Sequence, residues 1–153
     1  MEKIVTKLFG EIGIDEEKVI SFPEGIIGFS YLKRFLLIHD SEKEDGKITW
    51  LQSLDEPAFA IPVMDPLLVK EDYNPVVEDE LLDSIGGIVE DEIFVMVTLK
   101  VPEDITKMTV NLRAPVVINP NTKKACQILV DNEEYPIKYP IYDILQEMKK
   151  EGE

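Results

Sequence analysis

Short apolar segments, each followed by a turn signal, recur along the whole chain and limit the folds it can adopt. They are rich in Val, Ile, Phe and Thr, and some alternate apolar and polar residues, as Lys107–Leu112 does. That period of two is typical of a half-buried β-strand. The runs FLLI and IFVMV are continuously apolar, which predicts strands covered on both faces. The predicted strands are Lys3–Phe9, Lys18–Phe22, Phe35–His39, Ile48–Leu54, Ala58–Met64, Ile93–Val101, Met108–Leu112, Pro115–Ile118 and Lys124–Val130.

The regular spacing of these strands predicts how they assemble. Many short strands with turns between them are typical of an all-β barrel or sandwich. The segment Pro115–Val130 is the clearest hairpin, because Asn119-Pro120-Asn121-Thr122 has proline at the second position, as a type I turn prefers. We therefore predict an antiparallel, barrel-like fold dominated by β-structure.

Two segments depart from the strand pattern and predict short helices. Glu78–Ser84 (EDELLDS), stopped by Gly86-Gly87, predicts one short acidic helix. Pro140–Lys150 predicts a C-terminal helix, because Pro140 suits a first helical turn and the two final lysines suit the negative end of the helix dipole. Its expected apolar stripe is Ile141, Ile144, Leu145 and Met148.

The segment Phe22–Phe29 (FPEGIIGF) contains two glycines and a proline, a composition that suits either a phosphate-binding loop or a structural corner. It lacks the lysine that follows the last glycine of a Walker loop, because Phe29 and Ser30 follow Gly28, and it lacks the dinucleotide pattern of three glycines. Pro23 fixes φ, Gly25 allows a turn, and Gly28 allows a bulge or a close backbone approach. We predict a structural corner with Phe22 and Phe29 buried on either side of it.

Composition indicates the class of protein. The 153 residues are interpreted as one domain, 1–153, with 44% hydrophobic and 31% charged residues. No apolar run approaches the ~18 residues of a membrane span, and the N-terminal residues do not resemble a signal peptide. The single cysteine, Cys126, excludes an internal disulfide and fits a reducing compartment. We expect a cytoplasmic protein that does not bind membranes.

The net charge of −15 argues against direct binding to nucleic acid, which requires Lys and Arg to neutralise phosphates. Glu71–Glu92 contains nine acidic residues and neither Lys nor Arg. Such a run suits association with a basic partner, although an acidic run is more often a solvated face.

Catalytic and metal-binding patterns are sparse, and we expect no cofactor. His39 is the one histidine and is interpreted as a strand-end residue with a backbone partner, while Cys126 is interpreted as a buried thiol. The run Asp40–Gly46 fails as a calcium loop, because the positions that require Gly and a bidentate Glu hold other residues. A pair of carboxylates stays open, because sequence spacing does not give their separation in space. The alternative function is therefore a small-ligand carrier or a carboxylate-based hydrolase.

Three large side chains are ambiguous in the sequence. Trp50 suits a core position or a protein-binding surface. Arg34 and Arg113 are the only arginines, and each is interpreted as the partner of an internal carboxylate rather than of a ligand.

Several stretches together resemble one family, the flagellar assembly factor FliW. They follow the family's order over nearly the whole chain, and one departure is Ile27, where a proline is expected. The stretches are FGEIGI (Phe9–Ile14), ISFPEGIIGF (Ile20–Phe29), WLQSLDEPAFAIPVMDP (Trp50–Pro66), TVNLRAPVVIN (Thr109–Asn119) and CQILV (Cys126–Val130).

The resemblance implies a non-enzymatic regulator, a monomer when free, with a small β-barrel-like fold. FliW-like proteins bind flagellin and, alternatively, the RNA-binding translational repressor CsrA, so that flagellin synthesis is coupled to filament assembly. We expect the protein-binding residues to include Trp50, Asp65, Glu78, Asp79, Glu80, Arg113 and Asn119.

Overall fold

The computed structural model describes residues 2–39, 48–75, 80, 83–86, 93–130 and 134–151. Within them, β-strands dominate and one α-helix follows the last strand, as the sequence predicts. The strands are β1 Glu2–Thr6, β2 Gly10–Ile14, β3 Ile20–Ser21, β4 Arg34–His39, β5 Thr49–Ser53, β6 Ala60–Met64, β7 Phe94–Lys100, β8 Thr109–Val110, β9 Val116–Asn119, β10 Lys124–Gln127 and β11 Tyr139–Pro140, and the helix is α1 Tyr142–Glu151.

Seven of these strands close into a barrel. Their order around the ring is β7, β6, β5, β4, β3, β10 and β9, and β9 pairs with β7 to complete the ring. Neighbouring strands are antiparallel except β3 and β10, which make one parallel pairing between Ser21 and Lys124. Strands β8 and β11 extend the sheet beside β7, and β1 and β2 form a separate hairpin.

Apolar side chains fill the barrel interior. The rings of Phe22 and Phe35 meet edge to face, with centroids 5.0 Å apart, and both are fully buried. Leu51 and Val63 are also fully buried, and cross-strand partners on the same face include Ile118 and Ala125. The interior of this small barrel is therefore a packed core.

A second core lies on the outer face of β7, β9 and β10, under the helix. Val97, Val117 and Cys126 point to this face, and Ile141 and Leu145 cover them. Ile141 donates its N–H to the Met108 carbonyl over 3.1 Å, which ties the start of α1 to the strand beside it. The predicted apolar stripe is confirmed, because Ile144 and Met148 also pack against this core.

Every predicted strand corresponds to an observed one, but the sequence missed β2 and β11. β2 was missed because its glycines and glutamate weaken the strand pattern. The prediction that Pro140 lies in the first turn of the helix is wrong. Pro140 belongs to β11 and pairs there with Thr109 of β8. The helix begins at Tyr142. Of the predicted acidic helix, the structure describes a helical Glu80 and a 3-10 turn over Asp83–Ile85, and the rest lies outside the described residues, as does Asp40–Gly46.

The Phe22–Phe29 segment is a structural corner whose two glycines differ. Both have positive φ, +69° at Gly25 and +88° at Gly28. A Cβ on Gly25 would lie 2.5 Å from the Ser30 carbonyl oxygen, whereas a Cβ on Gly28 would meet no atom within 4 Å. Phe22 is buried as predicted, but Phe29 is 38% exposed because its ring lies on the rim of the barrel against Phe59.

Candidate functional site

The end of strand β6 pairs with the middle of β7, at Val63 with Thr98 and Met64 with Val97. Proline flanks this short ladder on each side, as Pro62 and Pro66. Proline has no backbone N–H to donate, so neither residue can extend the ladder fully. A surface groove lies beyond each end of the pairing, and each groove is lined by residues of β7.

The larger of these two grooves lies at the start of β7 and has a volume of about 450 Å³. We call it the Phe94 groove; it is lined by Asp65, Leu67, Tyr73, Phe94 and Met96, among others. Phe94 is 59% exposed and Leu67 is 52% exposed. Exposed apolar side chains beside a concave surface are typical of a site that binds another protein.

Two tyrosines hold the floor of the Phe94 groove. The Tyr73 hydroxyl donates to the Leu112 carbonyl over 2.6 Å, and the Tyr135 hydroxyl accepts the Asn74 N–H over 2.8 Å. Their rings pack with centroids 4.7 Å apart. Burial, with a smaller contribution from Tyr135, raises the pKa of Tyr73 well above its ordinary value. Tyr73 therefore remains a neutral hydrogen-bond donor and serves as a rigid support.

Several residues that line the Phe94 groove adjoin acidic residues in the sequence. Asn74 and Pro75 line it at one end of the acidic run Glu71–Glu92, and Ile93 lines it directly after that run. Lys70 lies nearby in sequence, but its ammonium pairs with Asp72 at 3.1 Å, and this hydrogen bond raises the pKa of Lys70. Among the described lining residues, the charged group is the Asp65 carboxylate.

The structure places one of the expected protein-binding residues on this groove. Asp65 is exposed at its rim, and its Oδ1 accepts the Leu67 N–H over 2.9 Å at the start of the 3-10 turn Pro66–Leu68. Glu80 is exposed. Glu78 and Asp79 lie outside the described residues.

The other three expected residues have separate neighbours. The Trp50 ring meets Phe9 edge to face, with centroids 6.1 Å apart. The Arg113 Nε donates to the Tyr135 carbonyl over 3.0 Å. Asn119 is 5% exposed, and its Nδ2 donates to the Ile85 carbonyl over 3.0 Å. These contacts are structural and do not bring the three residues into one site.

Phe94 and Leu67 were missed by sequence reasoning. IFVMV predicts a strand covered on both faces, but Phe94 is exposed because β6 ends at Met64 and leaves it uncovered on that side. The available signal was the proline pair in AIPVMDP, which restricts pairing with a neighbouring strand.

The remaining polar residues are arranged for structure. Arg34 pairs with Glu16 at 3.3 Å, but on the surface rather than inside. His39 contacts the Thr49 hydroxyl through Nδ1 at 3.2 Å, a side chain rather than the backbone partner expected. Burial raises the pKa of Cys126 to about 11, so it is a neutral thiol at neutral pH.

No group of three potential metal ligands occurs among the described residues. None of the helices in that part of the chain is long and apolar enough to cross a membrane.

The fold and the groove define a small closed β-barrel whose candidate site suits a segment of another protein. Comparisons with known proteins identify the family to which this fold belongs. The family model described as FliW protein matches residues 3–141. Flagellar assembly factor FliW of Lachnospira eligens is 52% identical over 146 residues, covering 94% of this chain and 97% of the relative. That of Lachnoclostridium phytofermentans is 48% identical over 153 residues and covers 98% of each chain.

A solved structure supports the same assignment. The crystal structure of a flagellar assembly factor FliW superposes with a TM-score of 0.84 at 30% identity, covering 92% of this chain and 97% of that one. The chain therefore belongs to the FliW family of flagellar assembly factors.

Proposed function

We propose that this flagellar assembly factor works by exchanging two protein partners, flagellin and the translational repressor CsrA. When CsrA is bound it no longer represses flagellin translation, and when flagellin is bound CsrA is released to repress. Family membership over nearly the whole chain is the observation that carries this proposal. The protein would act in the cytoplasm, where both partners are made, and without catalysis.

The Phe94 groove supports the CsrA part of the proposal. CsrA binds RNA, so its working surface must be basic. An apolar groove that carries the Asp65 carboxylate, and whose lining adjoins an acidic run in the sequence, suits such a surface, because opposite charges accelerate association and apolar contacts slow dissociation. The alternative of a small-ligand carrier or hydrolase receives no support from the barrel interior, which Phe22, Phe35 and Leu51 fill.

Stopped-flow association with CsrA across a salt series tests the electrostatic part. We expect the association rate to fall as salt rises, because exposed charges are screened over ~8 Å at physiological ionic strength. Reversing the charge of Glu78, Asp79 and Glu80 should slow association roughly tenfold. Flagellin association, if dominated by apolar contacts, should change less.

A matched control separates local from global charge. Reversal of Glu2, Glu24 and Glu103, which are exposed, changes the net charge equally but lies elsewhere in the sequence. If both triple variants slow association equally, net charge alone explains the effect. If the association rate does not change with salt, the acidic segment is not part of the CsrA interface. In a separate variant, Phe94→Ser should speed CsrA dissociation about tenfold.

A further inference from the structure

The groove at the other end of β7 has the opposite charge. It has a volume of about 390 Å³, and we call it the Lys100 groove. Lys100 and Lys138 line it, together with Ile61, Thr98 and Thr109, and no carboxylate lines it among the described residues. Both lysines are exposed, and neither forms an ion pair within the described part of the chain. On a chain of net charge −15 this is a local exception.

The groove exists because strand pairing changes here. The β6–β7 register, continued past Val63 and Thr98, would place Pro62 opposite Leu99 and Ile61 opposite Lys100, but the pairing stops first. On its other edge, β7 remains paired with β8, at Leu99 with Val110 and Lys100 with Thr109. The strand is therefore held in place while the edge that faces β6 lies open.

An apolar cavity of about 190 Å³ continues the Lys100 groove into the mouth of the barrel. The two cavities share Ile61, Thr98 and Asn111, and the second ends at Ile27 and Phe29 of the corner. Gln127 fixes the corner there, because its Oε1 accepts the Ile27 N–H over 2.9 Å and its Nε2 donates to the Ala114 carbonyl over 3.0 Å. The mouth is consequently preformed.

We propose that the Lys100 groove binds an extended segment of a protein partner that carries a bulky apolar residue near a carboxylate. The apolar side chain enters the mouth between Ile27, Phe29 and Ile61, and the carboxylate, from Asp, Glu or a chain terminus, lies between Lys100 and Lys138. The unpaired edge of β7 beyond Thr98 favours an extended chain. The two lysines select its charge. This site is separate from the Phe94 groove and does not depend on the proposed function.

A displayed library of random peptides with free carboxyl termini provides the probe. The library is selected on the full chain and counter-selected on the Lys100→Glu/Lys138→Glu variant. We expect the retained peptides to combine a bulky apolar residue with an acidic group. Labelled synthetic copies should bind the double variant roughly tenfold more weakly, because each exposed ion pair contributes modestly and reversal adds repulsion.

Two further variants make the result specific. Ile27→Ser should weaken the same peptides by several-fold, since Ile27 is 48% exposed and lines the mouth. Lys7→Glu/Lys18→Glu changes the charge equally at exposed positions elsewhere and should leave binding unchanged. Urea unfolding of each variant confirms that the fold is retained.

Several results would overturn the proposal. They are retention of no peptide, selection of peptides without an acidic group, and equal binding by the parent and the Lys100→Glu/Lys138→Glu variant. If a labelled single-stranded RNA binds at the two lysines in preference to the peptides, the ligand of the groove is a nucleic acid and the proposal is wrong. A dimer in sedimentation that Lys100→Glu dissociates would assign the groove to a second copy of the chain.

Discussion

The two ends of β7 border grooves of opposite character. At its start, Phe94 and Leu67 expose apolar surface beside Asp65 and the acidic segment. At its end, Lys100 and Lys138 line a groove that leads to the barrel mouth. The two residue pairs that join β6 to β7 separate the grooves. One interrupted strand pairing thus provides two surfaces of opposite charge preference, which suits a protein that distinguishes partners.

The supports of the two grooves also differ. The Phe94 groove rests on buried tyrosines that are hydrogen-bonded to the backbone, whereas the mouth beside the Lys100 groove rests on a glycine corner held by Gln127. Substitutions that affect one support and spare the other therefore test whether the grooves are independent.

The largest effect is expected at Gly25. Gly25→Ala should lower the free energy of unfolding by about 4 kcal/mol, because positive φ strains the residue and the new Cβ collides with the Ser30 backbone. Gly28→Ala, the matched control, should cost only about 1 kcal/mol, since its Cβ has open space. Urea unfolding measures both. Equal losses would mean that φ alone, and not the close approach to Ser30, governs the corner.

A smaller loss is expected at the floor of the Phe94 groove. Tyr73→Phe removes the hydroxyl that satisfies the buried Leu112 carbonyl and should cost about 2 kcal/mol. The substitution should also weaken the binding of a basic partner at the Phe94 groove, and it should leave the binding of peptides at the Lys100 groove unchanged. The control is Tyr31→Phe, at a ring that is 65% exposed, and it should leave stability unchanged. Weakened binding at both grooves would show that the grooves share one support.

The smallest effect concerns Cys126, in the outer core. Burial raises its pKa from 9.0 to about 11, so the unfolded chain loses the thiol proton at lower pH than the folded chain does. Its contribution to stability is complete below pH 9 and declines as pH rises toward 11, by at most about 1.4 kcal/mol per pH unit. Cys126→Ala should reduce this pH slope in urea unfolding between pH 9 and 10. An unchanged slope would show that the thiol is not protected from solvent.

The sequence predicted the positions of the strands better than it predicted which strands pair with each other. The runs FLLI of β4 and IFVMV, which leads into β7, are continuously apolar, and each predicts a strand without reference to its neighbours. Strand β11 could not be predicted, because Tyr139 and Pro140 become a strand only by pairing with β8. Closure of the barrel likewise depends on the pairing of β7 with β9, which local pattern does not encode.

The candidate protein-binding residues stay a prediction, because the structure gives their neighbours and not their partners. Asp65 lies on the Phe94 groove. Asn119 is buried, and its amide donates a hydrogen bond to the Ile85 carbonyl. The sequence alone does not reveal this contact, because the two residues are distant along the chain. The exposure of Phe94 had only the indirect signal of the proline pair in AIPVMDP, and Lys100 and Lys138 carried none, because proximity of two lysines is a property of the assembled chain.

The sequence by itself determined the β-rich fold, the C-terminal helix, the freedom of the corner glycines to adopt positive φ and, through Pro62 and Pro66, the limits of one strand ladder. Each of these follows from local backbone or side-chain preferences, which act whatever the rest of the chain does. The tertiary structure decided that the two prolines lie at the ends of the β6–β7 pairing, that Phe94 remains uncovered, and that Lys100 and Lys138 line one groove. Those outcomes depend on contacts between residues distant in sequence, which only the closed barrel brings together.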